Sequence, residues 1–184
     1  MLRKTNFYIL IIFLIGLAVL GKPIYYYTKG ICAQIMLEKA WEKTKRTGKP
    51  TKAWSWADTL PVAKLIIPKI ELNQVVLEGQ EIEAMAFGPA IIKHELNANN
   101  IIISGHRDSF FKKLDQLSEG DIINLELLNK VLKYRINSIV ITNPEDTRWI
   151  EDTPSKTLTL ITCYPFNFIG DAPERYIIIA NAIR

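Results

Sequence analysis

Cysteine and histidine are scarce in this chain, with two of each in 184 residues. Cys32 and Cys163 lie far apart, whereas a disulfide-stapled secreted domain usually carries four or more closely spaced cysteines. A stapled framework is therefore excluded, and Cys163 reads as a free thiol. There is no C-x-x-C and no H-x-x-x-H spacing, so these residues make no metal site. Excess charge of one sign is also small. The net charge is +4, and after residue 52 no basic stripe alternates with aromatic residues, which argues against a nucleic-acid partner. Internal repeats and low-complexity tracts are absent, which excludes a solenoid. What the chain does have is apolar residues, 48% of the total, enough for one hydrophobic core and too many for global disorder.

The basic residues that are present crowd toward the N-terminus: Arg3, Lys4, Lys22, Lys29, Lys39, Lys43, Lys45, Arg46, Lys49 and Lys52. Such a bias suits a segment beside anionic lipid. Phe7 to Leu20 is an uncharged apolar run, long for the core of a signal peptide and short for a span, which needs about 20 residues. Extending it to Tyr27 adds only one charge, Lys22, which can snorkel, and Tyr25, Tyr26 and Tyr27 would form an interfacial belt. Leu20-Gly21-Lys22-Pro23 is a poor cleavage site, and Ile31 ahead of Cys32 is a poor lipoprotein site. The expectation is an uncleaved signal anchor over residues 1–27, its N-terminus held in the cytoplasm by Arg3 and Lys4. The rest of the chain would face the periplasm or the extracellular space. Residues 28–52 follow as a juxtamembrane helix and linker. Within them, Ile31 to Thr47 has an apolar stripe of Ile35, Leu37, Ala40 and Trp41, and Gly48 and Pro50 stop it.

From residue 53 to residue 184 the pattern is that of one β-domain. Ala53 to Asp58 reads as an extended strand with two tryptophans. Val62–Ile67, Gln74–Leu77, Asn100–Ser104, Ile122–Leu128, Val131–Thr142, Thr157–Thr162 and Arg175–Ile183 read as strands, with a hairpin around Asn129-Lys130. Glu81 to Phe87 reads as a single helical turn, and Ser109 to Leu117 as a short helix capped by Asp108 or Ser109. About eight short strands with few helices predict an all-β sandwich or closed barrel.

Three chemically useful residues fall at strand tips. Cys163 closes Thr159-Leu160-Ile161-Thr162-Cys163, and Pro165, which cannot donate to a ladder, predicts that the strand ends there. Arg175 opens the next strand. If the two strands pair antiparallel, the loop between them leaves and returns at one edge, making Cys163 and Arg175 neighbours. His106 ends a third strand. A thiolate is the nucleophilic form of cysteine. An imidazole can donate and accept the proton of an amine, and a guanidinium can hold a carbonyl or an oxyanion. Each residue also has a plainer reading: a buried apolar cysteine, a polar His106-Arg107-Asp108 turn, and a surface pairing of Arg175 with Asp171 or Glu174.

Thr159-Leu160-Ile161-Thr162-Cys163 resembles the Thr-Leu-x-Thr-Cys signature of sortases, cysteine transpeptidases that join proteins to amines at the cell surface. Ser104-Gly105-His106-Arg107-Asp108 is similar to their Gly-His motif, and the order His106, Cys163, Arg175 agrees. Trp54-x-Trp56-Ala57-Asp58-Thr59-x-Pro61-Val62-Ala63, Ala86-Phe87-Gly88-Pro89 and Thr162-Cys163-Tyr164-Pro165-Phe166 resemble the class found in Gram-negative bacteria. The resemblance spans roughly residues 54 to 184. It implies an eight-stranded closed barrel in which His106, Cys163 and Arg175 are catalytic, with Thr162 and Tyr164 as candidate substrate contacts. It further implies cleavage of a Leu-Pro-x-Thr-Gly-like signal through a thioacyl intermediate. The partners implied are a companion protein with a C-terminal sorting signal and an amine nucleophile at the envelope. No cofactor is implied. The acidic residues do not resemble the family's calcium site, and no metal is expected.

Ile91 to Asn99 lacks the Pro/Gly-rich loop of the resembling class, and His94 reads as a surface residue. A peptidoglycan cross-linking transpeptidase would carry Arg two residues after the cysteine, where this chain has Pro165. A membrane-anchored β-domain that binds envelope protein or glycan without chemistry is the remaining alternative.

Overall fold

The computed structural model describes residues 2–79, 85–92 and 99–183, with side-chain surroundings for only some of the first thirty. One helix, α1 (Leu2–Thr47, 46 residues), precedes the β-domain. At 1.5 Å per residue it is about 70 Å long. The sequence suggests an anchor followed by a separate stalk helix, but the two run together as one element. Residues 2–27 of the expected transmembrane segment lie inside it. Among the described residues no helix is long and apolar enough to cross a membrane; the surroundings of many side chains in Phe7–Leu20 lie outside what is described.

The β-domain is a closed barrel of eight strands. They are β1 (Pro61–Ile67), β2 (Leu72–Glu78), β3 (Ala90–Ile91), β4 (Asn100–Ser104), β5 (Ile122–Leu127), β6 (Lys130–Thr142), β7 (Thr157–Tyr164) and β8 (Glu174–Ile183). Around the barrel the order is β1-β2-β3-β4-β7-β8-β6-β5, and β5 returns to β1. Two neighbouring pairs, β2–β3 and β4–β7, are parallel, and the others are antiparallel. The closed barrel is thus the outcome of the two all-β architectures left open above.

Period-two patterning explains the closure. β1 and β5 alternate buried with half-buried residues along their length, as strands with one face on a core must. Their inward residues, Ala63, Leu65, Ile67, Ile123, Leu125 and Leu127, join Ile101, Ile103, Leu158, Leu160 and Ile178 in one core. Each fully buried side chain of this kind contributes about 1.5–3 kcal/mol. The long β6 changes register between Ile136 and Ser138, an irregularity of the kind that lets a strand bend around a barrel.

Two local expectations fail. Ala53–Asp58 forms turns rather than a strand. Its Trp54 instead packs edge-on against Phe87, with ring centroids 5.1 Å apart, in a second apolar cluster outside the barrel with Leu37 and Trp41. Ser109–Leu117 is a series of turns with one turn of 3-10 helix at Leu114–Gln116. There Phe111 and Leu114 are fully buried, so core packing overrides the weak helical preference of a short, capped segment. Most of the expected turn at Glu81–Phe87, and His94 with its surrounding stretch, lie outside the described residues.

Candidate active site

Strand register brings the three strand-tip residues to one rim. β7 and β8 pair antiparallel with Thr162 opposite Tyr176, Cys163 opposite Arg175 and Tyr164 opposite Glu174. On the other flank, β4 runs parallel to β7, with Ser104 beside Ile161. The Gly105 N–H continues that ladder by donating to the Ile161 carbonyl at 3.2 Å. Continued by the same count, this ladder would set residue 106 level with residue 163, each two positions past a paired residue. His106 arrives from β4, Cys163 from the central β7 and Arg175 from β8. Cys163 is a free thiol and half-buried, His106 is exposed and Arg175 is half-buried.

The Gly-His step has a steric cause. A Cβ on Gly105 would lie 2.9 Å from two atoms of the Phe111 ring. Only glycine lets the chain pass that close to the fully buried Phe111 and then expose the next residue. The His106 carbonyl accepts from Phe111 N–H at 3.1 Å and from Ser109 N–H at 3.4 Å, so the backbone beneath the imidazole is fixed by the following turn. Thr162 secures it from β7. That residue is 2% exposed, and its hydroxyl donates to the Gly105 carbonyl at 2.7 Å. Thr162 is thus turned into the protein, tying the nucleophile's strand to the histidine's loop.

Arg175 leans toward the β7–β8 connection. Its Nη1 donates to the Ala172 carbonyl at 3.3 Å and to the Glu174 carbonyl at 3.0 Å. No side-chain ion pair between Arg175 and Asp171 or Glu174 occurs among the described residues, so the plain surface pairing is not what holds it. The backbone contacts orient the guanidinium while leaving its remaining donors for another acceptor. Tyr164, the residue after Cys163, belongs to an aromatic cluster packed against the core on the face of Thr162. It stacks on Tyr176 at 6.0 Å and 21°, while Phe166 meets Tyr176 edge-on at 5.0 Å. Burial pushes the Tyr176 phenol above its ordinary pKa, so it stays neutral at physiological pH.

Arg107 and Asp108, read from sequence as a polar turn, are more than that. Arg107 is 6% exposed. Its Nε and Nη2 donate to the two Asp108 carboxylate oxygens at 2.8 and 3.0 Å, and its Nη1 donates to the Pro165 carbonyl at 2.8 Å. The bonds to Asp108 hold the Arg107 guanidinium above its usual pKa despite its burial, with smaller charge contributions from Asp108 and Cys163. The same pair holds the Asp108 carboxyl below the usual range. An Arg-Asp dipeptide right after the histidine was the only available signal, and a buried arginine cannot be told from an exposed one by spacing.

Away from the rim, Asn100 sits at the far end of β4. Its amide donates to the Trp149 and Glu151 carbonyls at 3.1 and 2.9 Å, and its carbonyl accepts from Thr159 at 2.8 Å. This pins the β6–β7 connection across the outside of β7. Near Thr142, which pairs with Arg175, Asp146 accepts from the Thr142 hydroxyl, the Arg148 guanidinium and the Trp149 indole. Hydrogen bonds from Arg148 and Thr142 push the Asp146 carboxyl far below its ordinary pKa. Among the described residues no group of three His, Cys, Asp or Glu side chains has the geometry to hold a metal ion.

A closed barrel with a half-buried thiol paired in register with an arginine offers a candidate thiol-based site on an all-β scaffold. The sortase-domain family model matches residues 65–183, and the chain belongs to the sortase family. It is 34% identical over 123 residues to Sortase D of Bacillus subtilis (strain 168), a match covering 65% of this chain and 62% of that protein's length. Among solved structures it is similar to sortase C-1 from Actinomyces oris, with 25% identity, a TM-score of 0.61, and coverage of 67% of this chain and 75% of that one. A Clostridium perfringens Sortase D5 transpeptidase shares the fold at a TM-score of 0.65 and 24% identity, covering 83% of this chain and 96% of that one. The expected Gram-negative class finds no support here, since the Bacillus relative is Gram-positive.

Proposed function

We propose that this chain is a membrane-anchored cysteine transpeptidase that cuts a C-terminal sorting signal and transfers the protein to an amine. The Cys163 sulfur attacks the threonine carbonyl carbon of a Leu-Pro-x-Thr-Gly-like signal, forming a tetrahedral intermediate whose oxyanion accepts hydrogen bonds from Arg175. As the Thr–Gly bond breaks, His106 gives its proton to the departing amine, and a thioester remains on Cys163. An amine then attacks the thioester carbonyl and passes a proton to His106, and the thiolate leaves. Thr162 steadies the strand, and Tyr164, the residue after the nucleophile, remains the candidate substrate contact where β7 ends. No cofactor enters this chemistry.

The observation that carries this reading is the register of three adjacent strands, in which Cys163 pairs with Arg175 and the β4 ladder ends at Ser104, two residues before His106. Half-burial of Cys163 supports it further, because a cysteine serving only as core would be fully enclosed. The substrate in this reading is a companion protein carrying the signal, and the acceptor is an amine at the cell envelope. The uncharged run Phe7–Leu20 and the flanking Arg3 and Lys4 support an anchor in the cytoplasmic membrane with the barrel on its outer side. Purified protein incubated with a signal peptide and an amine should release the C-terminal fragment and form the joined product. Cys163→Ala should do neither. Equal cleavage by that variant would overturn the proposal.

A further inference from the structure

Arg107 does no work in the scheme above, yet it is the most tightly held charge at the rim. Burying a guanidinium is costly unless its donors are all matched. Here the planar fork meets both Asp108 oxygens, and Nη1 is left for the Pro165 carbonyl. Arg107 follows His106 directly, and Pro165 lies two residues past Cys163. One side chain thus bridges the segment leaving β4 to the segment leaving β7, at the level where both candidate groups emerge. Lysine cannot reproduce this, because an ammonium lacks the fixed geometry for a two-oxygen grip plus a third bond.

The bridge also places charge. Around the Cys163 sulfur, β8 contributes Arg175, and the turn after β4 contributes His106, Arg107 and Asp108. Glu174 stands one register position further along, opposite Tyr164. Asp108 is 74% exposed on its side chain, whereas Arg107 is 6% exposed. Water therefore screens the carboxylate more than the guanidinium. The Nη1 bond to the Pro165 carbonyl holds the guanidinium against the segment that leaves Cys163, two residues past the thiol.

We propose that Arg107 is a positioning residue of the thiol site, which locks the His106 turn to the Pro165 carbonyl and presents a buried positive charge to the Cys163 sulfur from the β4 side. This rests on Cys163 being the nucleophile.

The test uses the full chain with Cys32→Ser, so that Cys163 is the only thiol. Its rates of modification by an anionic and a cationic methanethiosulfonate are measured at one pH, beside kcat and KM for peptide cleavage. In Arg107→Gln the anionic-to-cationic rate ratio should fall about threefold to tenfold, the scale of one unit charge at short range near a protein surface. Arg107→Lys should keep the ratio, because it keeps the charge, but lose kcat more than it raises KM, because the turn is no longer gripped. Asp108→Asn should raise the ratio. A merely structural role would slow both reagents alike and leave their ratio untouched. An unchanged ratio in Arg107→Gln overturns the proposal; should that variant not fold, wild-type kcat in Arg107→Lys overturns it instead. If the parent's Cys163 resists both reagents, the functional reading fails first. A reactive parent with an indifferent Arg107→Gln removes only the role given to Arg107.

Discussion

The rim that carries Cys163 and the seam where α1 meets the barrel are held by different forces. At the seam, Leu37 and Trp41 are each 1% exposed and pack on Val75, Leu77 and Ala90. The Trp41 indole donates to Glu126 at 3.2 Å, and Lys45 pairs with the same carboxylate at 2.7 Å. Lys64 and Glu38 form a further ion pair. This is area burial with ion pairs at its edge, where apolar contact supplies nearly all the stability. At the rim the chemistry-bearing residues are exposed or half-buried, and position comes from strand register, a glycine under Phe111 and bonds to backbone carbonyls. The contrast teaches that the two regions should fail differently. Changes at the rim should alter reaction rates with little effect on folding, and changes at the seam should alter stability with little effect on rates.

Cys163→Ala should break the comparison's first half most sharply. Peptide cleavage should fall by more than about 1,000-fold, as for other nucleophile deletions, while thermal unfolding shifts little because only a half-buried sulfur is lost. Arg175→Lys should come next, with a loss of about 100-fold in kcat if the fork holds the oxyanion, measured by steady-state cleavage at saturating peptide. On the seam, Trp41→Ala removes a fully enclosed indole. It should cost about 3–5 kcal/mol, read by denaturant unfolding and by protease cutting in residues 48–60. Its cleavage rate should stay within about threefold at a temperature where it is folded.

The smallest effect concerns pH at the seam. Burial pushes the Glu126 carboxyl up, but hydrogen bonds and charge from Lys45, with the Trp41 indole, outweigh it and hold the carboxyl below its ordinary value. A carboxyl lowered in the folded state adds stability above its unfolded pKa of about 4.3 and loses it as pH falls through the folded value. Wild type should therefore lose some stability on acidification below about pH 4.3 that Glu126→Gln does not lose. The difference should be no more than about 1 kcal/mol, because Lys45 and Glu126 are partly exposed at 29% and 20%. A larger difference would mean that the ion pair, rather than the apolar contact, holds the helix.

Much of this rim was legible in sequence because its positions follow from alternation and chain order. The run ending at Cys163, the proline behind it and the arginine opening the next strand predict a shared edge, and β7 and β8 pair there. His106 could be read as a strand end, but its arrival at this rim rested on the motif, since parallel pairing of β4 with β7 leaves no local trace. Arg107 was missed because burial of a charge depends on partners fifty-eight residues away. Ala53–Asp58 misled for a related reason: two tryptophans with one residue between them suit a strand face, but Trp54 packs on Phe87 and Trp56 is 77% exposed. The extent of α1 was misread because an apolar run and an amphipathic stripe look like two elements while their backbones form one.

Intact-mass measurement of the protein after brief exposure to a Leu-Pro-x-Thr-Gly-like peptide without added amine tests the central claim most directly. The account predicts an adduct equal to the peptide's acyl part, mapped to Cys163, absent from Cys163→Ala and discharged by an added amine. Peptide cleavage with Cys163 unmodified throughout, or an adduct carried by Cys32 instead, would contradict it.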